Sequence, residues 1–190
     1  AGALFGLPFR VNQYTSYNQR SPAITTLSNG YFVVVWVSEN QGVPALQTKL
    51  GTNRVHNYGR VFTKGGYPVS NEFRVNTQSN LCAMPSVAPW KERGFTVVWA
   101  EKAPNRAENW DIYTRSFSAF DAPATDVVRV NDVTYGDQHS PVVASVGSHQ
   151  LVTWNSLGHD GSREGVFGRA LYDGVLNGPE ILVNTHTNGS

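Results

Sequence analysis

Apolar positions in this chain fall in short dense runs, not at helical spacing. The stretches "YFVVVWVS" (31–38), "FTVVWAE" (95–101) and "QLVTWNS" (150–156) are rich in Val, Phe and Trp, as strands buried on one or both faces are. A shorter run precedes each: "SPAITTL" (21–27), "MPSVAPW" (84–90) and "SPVVASV" (140–146). An alternating run follows each: "YGRVFTK" (58–64), "DIYTRSFS" (111–118) and "VFGRALY" (166–172). A fourth run, "EFRVN", "VVRVN" or "EILVN", closes the set, and "SNG", "KERG", "KGG" and "YDG" supply turn chemistry between runs. No window of ten or more residues carries a convincing 3.6-residue period, so the pattern predicts an all-β chain.

The runs recur in step. Aligned on Asn12, Asn76, Asn131 and Asn184, the phrase "RVN" or "LVN" returns after 64, 55 and 53 residues. Pro22, Pro85 and Pro141 follow the first three asparagines, then Trp36, Trp99 and Trp154, then Arg60, Arg115 and Arg169. Only the first unit is out of line between Trp and Arg, which places an insertion between Glu39 and Asn57. Four short strands per unit at this period predict β-propeller-type blades, with a β-trefoil-like arrangement as the alternative. The chain reads as one repeat domain, 1–190, with units of about 9–72, 73–127 and 128–180 and an extra outer strand and tail at 181–190. Three blades fall short of the roughly four that close a ring. A partner copy or further chain is therefore expected to cover the end faces.

Composition narrows the function. Only 15% of residues are charged and the net charge is +1, with basic residues scattered singly, so no nucleic-acid footprint is present. One cysteine, Cys82, excludes an intramolecular disulfide. No apolar run reaches the roughly 18 residues of a membrane span. The opening "AGALFGLP" lacks Met and a basic leader, which reads as a processing or fragment boundary.

The stretch "SLGHDGSREGVFGRALYDGVLNGPEILVNTHTNG" (156–189), with "QHSPVVASV" before it, resembles the tandem repeats of large secreted bacterial surface and RTX-type proteins. Their units run approximately "EFxVNTxTxxxQxxPxVAxLxxGGFVVxWxSxxxDGxxxGIxGQRFDxxG". The resemblance implies propeller-like or adhesin modules and a secreted or cell-surface location. The "DG" before the third strand survives only in Asp160 and Gly161.

Residues shared by every unit are read as architecture. The tryptophans are expected in the core, the arginines between blades, and the asparagines at the turn after each outer strand. Private chemistry is expected in the loops joining second and third strands. There Arg106, Asn109, Trp110, Asp111, Asn155, His159, Asp160 and Arg163 carry the amide, charged and aromatic groups that bind and stack on sugars. Asp160 and Glu164 are the candidate ligands of a hard cation such as calcium, although they lack the alternating spacing of a dedicated loop. Neither HExxH, G-x-S-x-G nor a P-loop occurs. The expected function is a non-catalytic, extracellular recognition or adhesion module for glycans or cell-surface polysaccharide, acting as an oligomer. The alternative is a self-assembling structural subunit of a fibre, tube or surface layer. A polysaccharide hydrolase stands third; it would need two carboxylates facing one pocket, with Glu101, Asp111, Asp160 and Glu164 as the acids at hand.

Overall fold

Each unit forms an antiparallel sheet whose strands follow one another in space as in sequence. The first holds β1 (Gln19–Thr26), β2 (Phe32–Glu39), β3 (Val55–Phe62) and β4 (Phe73–Arg74). The second holds β5 (Leu81–Trp90), β6 (Gly94–Lys102), β7 (Asp111–Ala119), β8 (Ala122–Pro123) and β9 (Val128–Arg129). The third holds β10 (Gln138–Val146), β11 (His149–Leu157), β12 (Glu164–Tyr172) and β13 (Val175–Leu182). This computed structural model describes residues 6–44, 54–102, 109–159, 161 and 163–185, with no helix among them. A single parallel pair, Val55 with Leu81, links the first two sheets, and the third is separate.

The sheets stack as blades. β5 packs against both β1 and β10, so the first strands lie innermost and the fourth strands form the rim. One core fills the gap between the first and second units, around Val33, Val35, Phe73, Phe95, Trp99 and Phe117. A second fills the next gap, around Val98, Ile112, Val130, Val152, Trp154 and Phe167. These are the Trp-bearing second strands, buried as the apolar runs predict.

The repeated arginines cross between blades. Arg60, Arg115 and Arg169 each donate from Nη1 to the carbonyl of Val11, Val75 or Val130, at 2.9, 3.0 and 2.8 Å, in the copy of the repeated phrase that precedes their own inner strand. From Nε each also donates to a backbone carbonyl of its own unit: Ser70, Thr125 and Gly178. The repeated asparagines serve the turn. Oδ1 of Asn76, Asn131 and Asn184 accepts the backbone N–H of Asn57, Ile112 and Val166 on the neighbouring third strand. Nδ2 of Asn12, Asn76 and Asn131 donates to the carbonyl two residues on.

The repeated prolines mark a bulge in every inner strand. Register shifts between Arg20 and Ala23, Ala83 and Ser86, and His139 and Val142. The residue before each proline, Ser21, Met84 or Ser140, has φ of 52, 51 or 53°. A proline has no N–H for the ladder, so the strand must break its pairing there.

Two expectations are corrected. The fourth strand is short in the first two units, only Phe73–Arg74 and Val128–Arg129, where the Ser70 and Thr125 hydroxyls accept the third-strand N–H groups of Val61 and Ser116 in place of ladder carbonyls. The opening copy of the phrase at 9–12 is not a strand; it lies against the first unit through Arg60. Apolar side chains are exposed on both end faces of the single chain. Ile24 is 64% exposed where its counterparts Val87 and Val143 are 8% and 6%. At the other end Leu151 is 44% exposed where Val33 and Thr96 are fully buried.

Arg115→Met keeps the apolar stem but leaves the Val75 and Thr125 carbonyls without their charged donor. The expected loss is about 2–3 kcal/mol, read from urea unfolding.

Candidate functional site

The inner strands start, the second strands end and the third strands start at the same end of the stack. The first unit brings Glu39, the last residue of β2, against Arg20 on β1, with Oε1 2.9 Å from Nη2. Asn18 Nδ2 donates to the other carboxylate oxygen at 2.9 Å. The third unit brings Glu164, the first residue of β12, to 3.4 Å from His139 Nε2 on β10. Arg20 and His139 immediately precede the bulged residues, so the same backbone device sets both on the innermost strands. Glu164 is exposed and His139 partly so, leaving this pair open to solvent.

The predicted site residues divide. Asn109 and Trp110 tie β7 to the loop entering β10. Asn109 Nδ2 donates to the Thr134 carbonyl at 2.8 Å, and the Trp110 N–H donates to Asp137 Oδ1 at 3.0 Å. The Trp110 ring packs on the second core instead of offering a free stacking face. Asp111 is buried and accepts from Asn131 Nδ2 at 2.7 Å. Asn155 sits opposite both His139 and Val166 on β11, beside the Glu164 pair. His159 stacks flat on Phe167 at 4.0 Å, with Glu180 3.8 Å from its Nε2. Arg163 is exposed, and its carbonyl closes a turn onto the Gly158 N–H. Arg106 and Asp160 lie outside the described residues. Glu164 therefore faces a histidine, and among the described residues no three His, Cys, Asp or Glu side chains gather to hold a metal.

Sequence reasoning missed Arg20, Glu39 and His139. A signal existed: three residues after the repeated tryptophan stand Glu39, Lys102 and Leu157, a position where the units disagree. Another disagreement lies one residue earlier, at Ser38, Glu101 and Ser156. Glu101 is buried and accepts from Trp99 Nε1 at 2.7 Å, Asn80 Nδ2 at 2.7 Å and Cys82 Sγ at 3.6 Å. In the other units glutamines take the indole N–H: Gln19 from Trp36 and Gln138 from Trp154. Burial, with Glu101 alongside, pushes the Cys82 thiol well above its ordinary range.

No family model matches the sequence, and no curated protein matches it either. Solved structures share the fold. An endo-arabinase from Bacteroides thetaiotaomicron superposes with a TM-score of 0.61 at 14% identity, over 97% of this chain and 66% of that one. A family 117 glycoside hydrolase from Zobellia galactanivorans gives 0.56 at 13% identity, over 92% and 59%. A thermostable family 43 glycoside hydrolase gives 0.56 at 12% identity, over 93% and 63%. The chain spans from about a third to two thirds of the length of the solved chains it matches. The likeness supports a propeller-type all-β fold in place of the trefoil alternative, without a closed sheet. It also corrects the functional expectation. A non-catalytic adhesion module or a self-assembling subunit was expected, yet the structures that share this architecture are an arabinofuranosidase, arabinanases, a xylosidase and other glycoside hydrolases.

One titrating group is settled by the local geometry. His56, at the start of β3, is buried, and its Nδ1 lies 3.1 Å from the amide nitrogen of Asn76, whose oxygen is already committed to the Asn57 N–H. Nδ1 must therefore accept, which fits a neutral ring. Burial lowers its pKa from 6.5 to about 4, helped by Arg74 and Arg54. The unfolded chain then binds a proton that the folded chain refuses between these values, so stability is full above pH 6.5 and falls as pH drops toward 4. Urea titrations are expected to show a loss of about 3 kcal/mol across that window, flattened in His56→Gln.

Proposed function

We propose that this chain is a propeller-type glycoside hydrolase module acting on a polysaccharide outside the cell, with Glu39 and Glu164 as its working acids. The observation that carries the reading is the pairing of each of these carboxylates with a basic side chain of an inner strand, at one end of the stack. The fold likeness to glycoside hydrolases supports it. Glycoside cleavage calls for one carboxyl to protonate the departing oxygen and a second carboxylate to attack or to activate water. Glu39, braced by Arg20 and Asn18, is fixed in orientation and suits the second task. Glu164, open to solvent beside His139, suits the first, with the imidazole able to return the proton. The resemblance to secreted bacterial surface repeats supports an extracellular setting and a cell-wall or matrix glycan as substrate.

Reducing-sugar release from arabinan, arabinoxylan and xylan tests the reading. Glu39→Gln and Glu164→Gln are each expected to lower kcat by about 10²–10⁴-fold, with urea midpoints near that of the parent. Hydrolysis that survives both substitutions, or no release from any of the glycans, overturns it.

A further inference from the structure

The two inter-blade gaps are not closed in the same way. Glu72, one residue before β4, accepts the backbone N–H groups of Gln13 and Tyr14 through Oε1. Glu180 does the same for the Asp132 N–H across the gap between the second and third units, at 2.5 Å. Both glutamates stand four residues before the repeated asparagine, and both bolt the loop after the preceding rim phrase to the rim of the next unit. The second unit has Val127 at this position, which cannot accept the corresponding N–H of Thr77. A cavity of about 420 Å³ lies at this place, lined by Thr77, Gln78, Asn80, Glu101, Tyr113 and Asp126, with Val127. It sits between the first and second blades, apart from Glu39 and Glu164.

The walls are prepared before any ligand arrives. Arg74 Nη2 donates to the carbonyls of Thr77 and Gln78, and Asn76 Nδ2 donates to Gln78, so the loop on one side is fixed. On the other side Tyr113 stacks along Trp99 at 6.4 Å. Glu101 receives three donors, and a carboxylate has about four lone-pair directions, which leaves capacity for one more. This volume falls within the usual range of small-molecule pockets. Two carboxylates on the wall disfavour an anion, and no cluster of three metal-binding side chains is present among the described residues. Carboxylate, amide, hydroxyl and an aromatic ring together match the hydroxyls and C–H face of a neutral sugar.

We propose that this gap between the first and second blades is a binding site for a neutral pentose or hexose unit, created by the replacement of the repeat's glutamate with Val127. The inference goes beyond the hydrolase reading and does not depend on it, since the site is read by binding and not by turnover. Titration of the whole chain with L-arabinose, D-xylose and D-galactose, followed by calorimetry and by amide shifts in NMR, is the test. At least one sugar is expected to bind with a dissociation constant of order 1 mM, shifting the amides of Thr77, Gln78 and Val127. Val127→Glu restores the clamp to the Thr77 N–H and is expected to weaken binding at least tenfold, with the urea midpoint held or raised. Asp126→Ala, at an exposed position, is expected to weaken binding without moving that midpoint. The proposal is overturned if none of the sugars binds, if the shifts map elsewhere, or if a folded Val127→Glu titrates as the parent does.

Discussion

A blade of four strands has two oily faces and a rim of unpaired backbone, and it cannot satisfy either alone. The guanidinium that reaches from each third strand to the preceding rim phrase addresses both demands at once. Its planar fork spans two carbonyls, one in each unit, and a lysine with a single point charge would not. Because the rim strands of the first two units pair over only two residues, their remaining carbonyls depend on such donors. The bond also fixes the spacing of blades, since the arginine must lie beside the apolar strand that faces the neighbouring unit. Core packing and rim satisfaction therefore select the same arrangement, which is the agreement between levels that makes a sequence specify one fold.

The inner strands add a second constraint. Each carries a non-glycine residue at positive φ just before a proline, a conformation costing of order 1–3 kcal/mol that persists only where its surroundings enforce it. The bulge re-aims the preceding residue, and that residue is Arg20, Ala83 or His139. The backbone thus supplies three equivalent places around the axis, and substitution alone decides what each presents. Two of the three present a base to a carboxylate, and the middle one presents a methyl group.

Much of this was legible in the sequence because repetition turns one observation into three. The spacing of Asn, Trp and Arg located the turn, the buried strand and the inter-blade position before any coordinates, since each role demands one side-chain chemistry at one position; the prolines kept step without announcing their bulge. The rim was less legible. "EFRVN" and "VVRVN" look like strands, but their polar side chains compete with the ladder, and periodicity does not see that competition. The site was harder still. Glu39 lies on the strand next to that of Arg20, and Glu164 lies two strands from His139, so neither carboxylate stands near its partner in sequence. Trp110 looked like an exposed platform because it lies in a polar loop, whereas its backbone is bound by Asp137 and its ring is drawn into the core.

Disagreements between units are informative when they come in pairs. The second unit has lost the glutamine that elsewhere takes the tryptophan N–H, with Cys82 in its place, and has gained Glu101 where the others have serine. Either change alone would strand a buried group: an indole without an acceptor, or a carboxylate crowded against a glutamine. Together they keep Trp99 satisfied and move the acceptor from a neutral amide on the inner strand to a charge on the next strand out. A buried carboxylate is costly unless surrounded by donors, and here it has the indole, the Asn80 amide and the thiol. Blade architecture does not require that charge, since the first and third units meet the same need with glutamine. The exchange has shifted negative charge to the wall of the gap that Val127 leaves open, and the two departures from the repeat meet at one place in the molecule.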